Sequence, residues 1–361
     1  MSVATVLLLL AGVAALAGGG EVLVRGASGL ARSFGIPPLV VGLTVVSFAT
    51  SAPELAVTLQ AAVDGNPGIA VGNVVGSNIA NILLILGICA VVLPLTVRVQ
   101  MIRSDIPIMI VFSVGALLLA LDGTVGRLDG GLLLLALVVY LAVTVVVARR
   151  RQGDEVRPVV KRAAASPWLA VGLVGAGVAL LVVGARLLVA GATDVASAIG
   201  VSDLVIGLTV VAVGTSLPEL AASLVAALRG ERDIAVGNVV GSCLFNIGAV
   251  LGLTGLVVSD GVPVASAAVR LDIPVMVAVS LALIPVAFTG FAVTRWEGAM
   301  FTAYYVAYVA YVLLAATEHD AVEPVSGVML WFVIPITVLW LALLVAYEVG
   351  LRRGRRQASP P

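Results

Sequence analysis

Charge is scarce in this 361-residue chain: only 11% of residues are charged, and there are one histidine and two cysteines. An ordinary water-soluble domain is about one quarter charged, so this shortage, beside 61% hydrophobic residues, excludes that class. Cys89 and Cys243 both lie in apolar stretches, supply neither a disulfide framework nor a metal-ligand spacing, and are read as packing residues. His319 sits in the polar stretch TEHDAVEP and is read as a solvated loop residue. The formal net charge of zero says little about partners, because the charges fall almost entirely in loops.

Long apolar runs are abundant. Each is close to the ~20 residues that cross ~30 Å of hydrocarbon as a helix. The runs predict helices at 3–33, 38–63, 68–95, 104–121 and 127–149, then at 167–199, 203–228, 233–259, 271–288 and 295–316, with a further helix at 327–350. The N-terminal VLLLLAGVAALAGGG has the look of a secretory signal, but no basic residue precedes Arg25. It is read as a first membrane helix that stays attached, tilted or kinked at Gly18, Gly19 and Gly20.

The two sets of five helices are a repeat. Glu219 follows Glu54 by 165 positions, and Ser242 and Asn246 follow Ser77 and Asn81 by the same interval, which carries IAVGNVVGS at 69–77 onto an identical IAVGNVVGS at 234–242. The likeness continues into RSDIPIM from Arg103 and RLDIPVM from Arg270. Five spans separate equivalent helices, and an odd number turns the second copy upside down, as in many secondary transporters. Lys and Arg orient the chain independently. With the N-terminus outside, the cytoplasmic face receives Arg32, Arg98, Arg103, the cluster from Arg149 to Arg162, Arg229, Arg232, Arg295 and Arg352, Arg353, Arg355 and Arg356. The outside keeps Arg127 and Arg270 with acidic loops around Asp122, Asp129, Glu318, Asp320 and Glu323. Eleven helices place the basic tail inside.

Each copy buries one carboxylate in an apolar span: Glu54 in GLTVVSFATSAPELAVTL and Glu219 in GLTVVAVGTSLPELAASL. An ionisable group at membrane depth is a functional-site hypothesis by default. Pro53 and Pro218 lack a backbone donor and push away the carbonyls of Ala49 and Gly214. Carbonyls near Ser47, Ala49 and Thr50, and near Ala212, Gly214 and Thr215, are thereby partly released. Thr50, Ser51, Thr215 and Ser216 add hydroxyls. On the following helix of each half, Asn73, Ser77 and Asn81, and Asn238, Ser242 and Asn246, recur at spacings of four along one face. Oxygen donors without nitrogen or sulfur favour hard cations such as Na⁺ and Ca²⁺ over zinc or copper. Two facing carboxylates repel unless a cation or proton intervenes, and one Ca²⁺, two Na⁺ or two protons each balance a charge of −2. Competition among these is itself a mechanism of exchange. Small-xxx-small glycines and membrane prolines serve packing and kinking by themselves; their joint recurrence around an acid is what points to a site. Glu21 and Arg25 are expected to pair with each other, and Arg186 and Asp194 have no evident partner.

These motifs resemble those of the prokaryotic-type sodium/calcium exchangers of the cation/calcium antiporter superfamily, whose two inverted repeats carry patterns like GTSLPE and GNxxGSNxxN. Here they read ATSAPE at 49–54, GTSLPE at 214–219, GNVVGSNIAN at 72–81 and GNVVGSCLFN at 237–246. The resemblance covers both five-helix halves and omits the eleventh helix. It implies a central ion site among the second, third, seventh and eighth helices, with the first and sixth sliding as a gate. It places Ca²⁺ and shared Na⁺ ligands on Glu54 and Glu219, on Thr50 and Thr215, on the carbonyls of Ser47 and Ala212, and on Ser51, Ser216, Ser77 and Ser242. Asn81 and Asn246 form its central polar pair. Some members carry an aspartate where this chain has Asn246; that departure leaves two carboxylates rather than three and bears on stoichiometry, K⁺ dependence and proton coupling.

The expectation is therefore an all-α integral membrane protein of two inverted five-helix repeats plus one extra C-terminal helix. It divides into a first repeat at 1–149, a basic cytoplasmic loop at 150–166, a second repeat at 167–316, and an extra helix with a basic tail at 317–361. The function expected is Na⁺/Ca²⁺ antiport by alternating access across the plasma membrane, the alternative being Ca²⁺/H⁺ antiport on the same glutamates. The partners are Ca²⁺, Na⁺ or H⁺ and the bilayer, with no cofactor, nucleic acid or obligate protein partner. An intramembrane enzyme would need a nucleophile and base in one place, which a lone loop histidine does not provide.

Overall fold

Hydrocarbon offers no water to bond the backbone, so a spanning chain satisfies its N–H and C=O groups within helices. Among its described residues the computed structural model consists of helices joined by short turns, with four two-residue strands. It describes residues 2–154, 166–317, 319 and 321–358. Most of the basic central loop, together with Glu318, Asp320 and the last three residues of the tail, lies outside them.

In the first half, α1 (Val3–Phe34) leads to a bent pair, α2 (Pro38–Thr50) and α3 (Ala52–Val63), then α4 (Pro67–Val92), β1 (Leu95–Thr96), α5 (Met101–Asp122), β2 (Thr124–Val125) and α6 (Arg127–Asp154). The second half repeats the order with α7 (Pro167–Ala198), α8 (203–215), α9 (Leu217–Leu228), α10 (Arg232–Val257), β3 (Val262–Pro263), α11 (Ala268–Phe288), β4 (Ala292–Val293) and α12 (Arg295–Ala316). Helix α13 (Val322–Leu351) follows.

Among the described residues nine helices are long and apolar enough to cross a membrane, and the bent pair α2/α3 makes ten. The eleventh expected span, 203–228, is not among them: it is broken at Ser216, and its second part, Leu217–Leu228, is a shorter apolar helix. The break is the counterpart of the one at Ser51. Burial ranks the helices: the most apolar stretch of α4 is 78% buried and that of α10 is 94% buried, against 11% for α12 and none for α13. The two repeat-related helices with the glycine-asparagine motifs thus form the centre.

The pseudo-two-fold relation is visible in contacts. Strand β1 pairs antiparallel with β4 and β2 with β3, so each ribbon joins one half to the other. The hydroxyls of Ser113 and Ser280 meet at 3.2 Å. Tyr140 donates to Asp105 at 3.0 Å and Tyr308 to Asp272 at 2.9 Å, which explains why the RSDIP and RLDIP motifs both keep their aspartate. Three π-helical turns also recur in matched places: Gly42–Val46 and Gly207–Val211, Asn81–Leu86 and Asn246–Leu251, Met101–Asp105 and Ala268–Asp272.

Helix α1 runs without interruption through Gly18, Gly19 and Gly20. Glycine here serves close packing. A Cβ on Gly19 would lie 2.8 Å from the Leu181 amide nitrogen of α7, and one on Gly184 of α7 would lie 2.8 Å from the Leu16 amide nitrogen. Asp194, which had no evident partner, accepts a hydrogen bond from Thr5 of α1 at 3.2 Å. Glu21 pairs with Arg25 as expected and also with Arg229.

Candidate functional site

The breaks in α2/α3 and α8/α9 follow from proline chemistry. Ser51 (φ −80°, ψ 3°) and Ser216 (φ −90°, ψ 5°) leave helical geometry, and the next helices start with proline in the first turn, where a missing N–H costs nothing. The first pair bends by 42°. Glu54 and Glu219 therefore stand in the first turn of α3 and α9, where the helix end favours negative charge. Both side chains are buried, at 1% and 0% exposure.

Each broken helix is braced against the long helix beside it. Asn73 Nδ2 donates to the Glu54 carbonyl at 3.2 Å and to Thr58 Oγ1 at 2.9 Å. Asn238 Nδ2 repeats the pattern with the Glu219 carbonyl at 3.5 Å and Ser223 Oγ at 2.9 Å. The amide oxygens reach across the two-fold axis: Thr50 donates to Asn238 Oδ1 at 3.2 Å and Thr215 to Asn73 Oδ1 at 3.4 Å. Asn73 and Asn238 are thus braces that hold the glutamates in place. Sequence reading missed Thr58 and Ser223; the signal was their place four residues after each glutamate.

Further bonds close the site between halves. Ser51 donates to Glu219 Oε1 at 3.4 Å, and Ser216 donates to Ser77 Oγ at 3.4 Å. Ser51, three residues before Glu54, thus brings the first broken helix into contact with the carboxylate of the second. Ser47 spends its hydroxyl on packing, donating to the carbonyls of Gly42 at 2.7 Å and Asn238 at 3.0 Å. Its carbonyl accepts the Ser51 amide at 2.9 Å and a long bond from the Thr50 hydroxyl at 3.5 Å, so Ser47 is less released than its place before the proline suggested. In the other half the Ser216 amide bonds Val213 instead, at 3.1 Å. The side chain of Ala212 lies outside the described set.

What remains is a group of buried polar atoms with no protein partner: both oxygens of Glu54, Oε2 of Glu219, Oδ1 of Asn81, Oγ of Ser242 and both amide atoms of Asn246. A buried polar atom left without a partner costs about 1–3 kcal/mol, and a charged one more. That so many fall on the predicted face points to a ligand able to satisfy oxygens. Asn78 joins them, with Oδ1 unpartnered while Nδ2 donates to the Val74 carbonyl at 2.7 Å. It escaped notice because its repeat position holds Cys243, whose thiol faces the Asn78 carbonyl at 3.8 Å. No group of three or more His, Cys, Asp or Glu occurs among the described residues. A set of two carboxylates, hydroxyls and amides fits an oxygen-seeking cation.

The sequence and fold have known counterparts. The profile of the sodium/calcium exchanger protein family matches residues 4–146 and 169–314, both halves of the repeat. The inner membrane protein YrbG of Escherichia coli is 44% identical over 241 residues, covering 65% of this chain and 74% of that protein. The sodium/calcium exchanger MaX1 of Methanosarcina acetivorans is 33% identical over 339 residues, covering 84% of this chain and 96% of that protein. A solved structure of the sodium-calcium exchanger NCX_Mj soaked with Na⁺ and Sr²⁺ superposes with a TM-score of 0.74 at 34% identity, over 86% of this chain and 99% of that one. The chain therefore belongs to the sodium/calcium exchanger family, multi-pass membrane antiporters of Ca²⁺ and other cations.

Proposed function

We propose that this protein exchanges Na⁺ for Ca²⁺ by alternating access at the site between the broken helices. Glu54 and Glu219 supply the charge that one Ca²⁺ or two Na⁺ neutralise. Thr50, Thr215, Ser51, Ser216, Ser77, Ser242, Asn81 and Asn246, with the carbonyls of Ser47 and Ala212, complete the oxygen shell. The observation that carries this reading is that two repeat-related carboxylates are both buried and both keep oxygens without a protein partner. A neutralised pair crosses hydrocarbon at far lower cost than a bare one, so ions that compete for it are exchanged. The exchanger named in MaX1 and the ions in the NCX_Mj soak support the choice of cations. The distribution of arginine puts the N-terminus outside and the C-terminus in the cytoplasm of a cell whose plasma membrane holds the protein.

Everted vesicles test it. An outward Na⁺ gradient is expected to drive Ca²⁺ uptake that a protonophore leaves unchanged. Uptake that ignores Na⁺ and collapses with the protonophore would replace this reading with Ca²⁺/H⁺ antiport on the same glutamates.

A further inference from the structure

The repeat is symmetric in sequence, yet the structure uses it asymmetrically at one place. Helix α1 packs on α9: a Cβ on Gly20 would lie 2.9 Å from Val225 Cγ2 and 3.0 Å from the Ala221 carbonyl. The contact continues past the end of α9, where Arg229 pairs with Glu21 and Ser28 donates to Glu231 at 3.1 Å. The two-fold equivalent of this contact is α7 on α3, and it is not made. Ala56, Val57 and Gln60 of α3 are exposed, whereas their counterparts Ala221, Ala222 and Val225 are wholly or half buried.

The equivalent charged residues are present nonetheless, with signs exchanged. At the 165-residue interval Glu21 maps onto Arg186 and Arg229 onto Asp64, while Ser28 and Glu231 map onto Thr193 and Asn66. Arg186 is exposed and has no partner among the described residues, an expensive state for a charge on an apolar helix. Among the described residues the Asp64 carboxylate is held by Gln60 of its own helix alone, at 2.9 Å. The turns that carry Asp64 and Arg229 have the same geometry, each with a left-handed glycine next in sequence, Gly65 at φ 77° and Gly230 at φ 80°. Helices α1 and α7 are meanwhile held against each other through their glycines and through Thr5 and Asp194.

We infer that Glu21–Arg229 and Arg186–Asp64 are alternating ion pairs, one closing each membrane face in turn as the α1/α7 body rocks between α9 and α3. In the conformation described, the Glu21–Arg229 side is shut. In the opposite one Arg186 leaves lipid and headgroups for Asp64, and Thr193 meets Asn66. The exchange of signs between copies has a physical use: the open face presents an arginine and an aspartate that cannot pair with the closed face's residues in the wrong register, so each pair recognises its own closure. This inference rests on the alternating-access reading above.

The test is a cross-link with a charge rescue. In the double variant Asp64→Cys with Arg186→Cys, the native Cys89 and Cys243 are buried and stay in place. Oxidation in membranes during exchange is expected to form the 64–186 disulfide, stop Na⁺-driven Ca²⁺ flux and leave Ca²⁺ binding intact, with flux restored by a reductant. The pair Glu21→Cys with Arg229→Cys should behave alike. Asp64→Arg alone is expected to slow flux by about two- to fivefold, the range of an exposed ion pair, and Arg186→Asp added to it to restore the rate. Continued flux in the cross-linked protein, failure to cross-link in a variant that still exchanges ions, or absence of rescue would each overturn the inference. Absence of exchange in the unaltered protein would instead refute the proposed function, and cross-linking would still report the second conformation.

Discussion

Glu54→Gln separates an ion ligand from a structural acid. The substitution keeps the shape of the side chain and removes its charge, while the Asn73 bond to the Glu54 backbone carbonyl is untouched. Two unit charges 4 Å apart attract by about 4 kcal/mol at an effective permittivity of 20, so a divalent ion gains about 8 kcal/mol from one carboxylate. The carboxylate's own desolvation, several kcal/mol, is incurred in either state and offsets part of this; removing one partner of a buried ion pair costs about 3–5 kcal/mol overall. At 1.4 kcal/mol per tenfold, Ca²⁺ affinity should fall roughly 100- to 3,000-fold. The sign for the ion-free protein is opposite. Both Glu54 oxygens are buried without a partner, so in chelator the variant, which removes a buried charge, should unfold at the same temperature as the parent or higher. Ca²⁺ titration calorimetry on purified protein, with thermal unfolding in chelator and in Ca²⁺, reads both. A variant that binds Ca²⁺ within threefold of the parent, or that loses binding only because its ion-free form melts early, would refute the reasoning.

Three further outcomes follow from the same geometry. Asn246→Asp adds a third carboxylate among buried oxygens and is expected to shift the Na⁺ activation curve more than Ca²⁺ binding; superimposable Na⁺ curves for parent and variant would count against Asn246 as a Na⁺ ligand. Asn73→Ala removes a brace from Glu54 and Thr58 without removing charge, so flux should drop by about tenfold, the effect of about 1.4 kcal/mol, and the Asn73→Ser variant, which keeps one hydroxyl, should lie between; equal rates in all three would deny the brace. Gly177→Val sets a side chain where a Cβ already falls 2.5 Å from the Leu23 amide nitrogen, and should separate α1 from α7, abolishing flux while Ca²⁺ binding at the central site persists. Normal flux from well-inserted protein would show that the crossing tolerates bulk.

The inverted repeat was legible because an ungapped interval leaves no freedom in aligning Glu54 with Glu219 or Asn81 with Asn246. The disturbance around Pro53 and Pro218 was legible because proline acts locally on its own turn, whereas the breaks at Ser51 and Ser216 divide helices expected to be continuous over 38–63 and 203–228. Bonds that depend on a distant partner were not: Thr5 finds Asp194 on another helix, and nothing near either residue announces the other. The π-helical turns beginning at Asn81 and Asn246 arise from a slip of one hydrogen bond in an apolar run, which composition does not record. The packing role of Gly19 was hidden for a related reason, since it depends on the backbone of Leu181 on another helix. The bonds of the Ser47 hydroxyl were hidden as well, because its acceptors are the carbonyl of Gly42, five residues back, and that of Asn238 on α10.

The two short ribbons impose an order on how the molecule is made. Leu95 and Thr96 await Val293 and Ala292, and Thr124 and Val125 await Pro263 and Val262, so both stitches take their second thread from sequence that emerges far later. A nascent chain that has delivered only its first five spans to the bilayer holds an acid and loose strand edges without their mates. Maturation is thereby deferred to the last stages of synthesis, when the ribosome releases the segments that complete them.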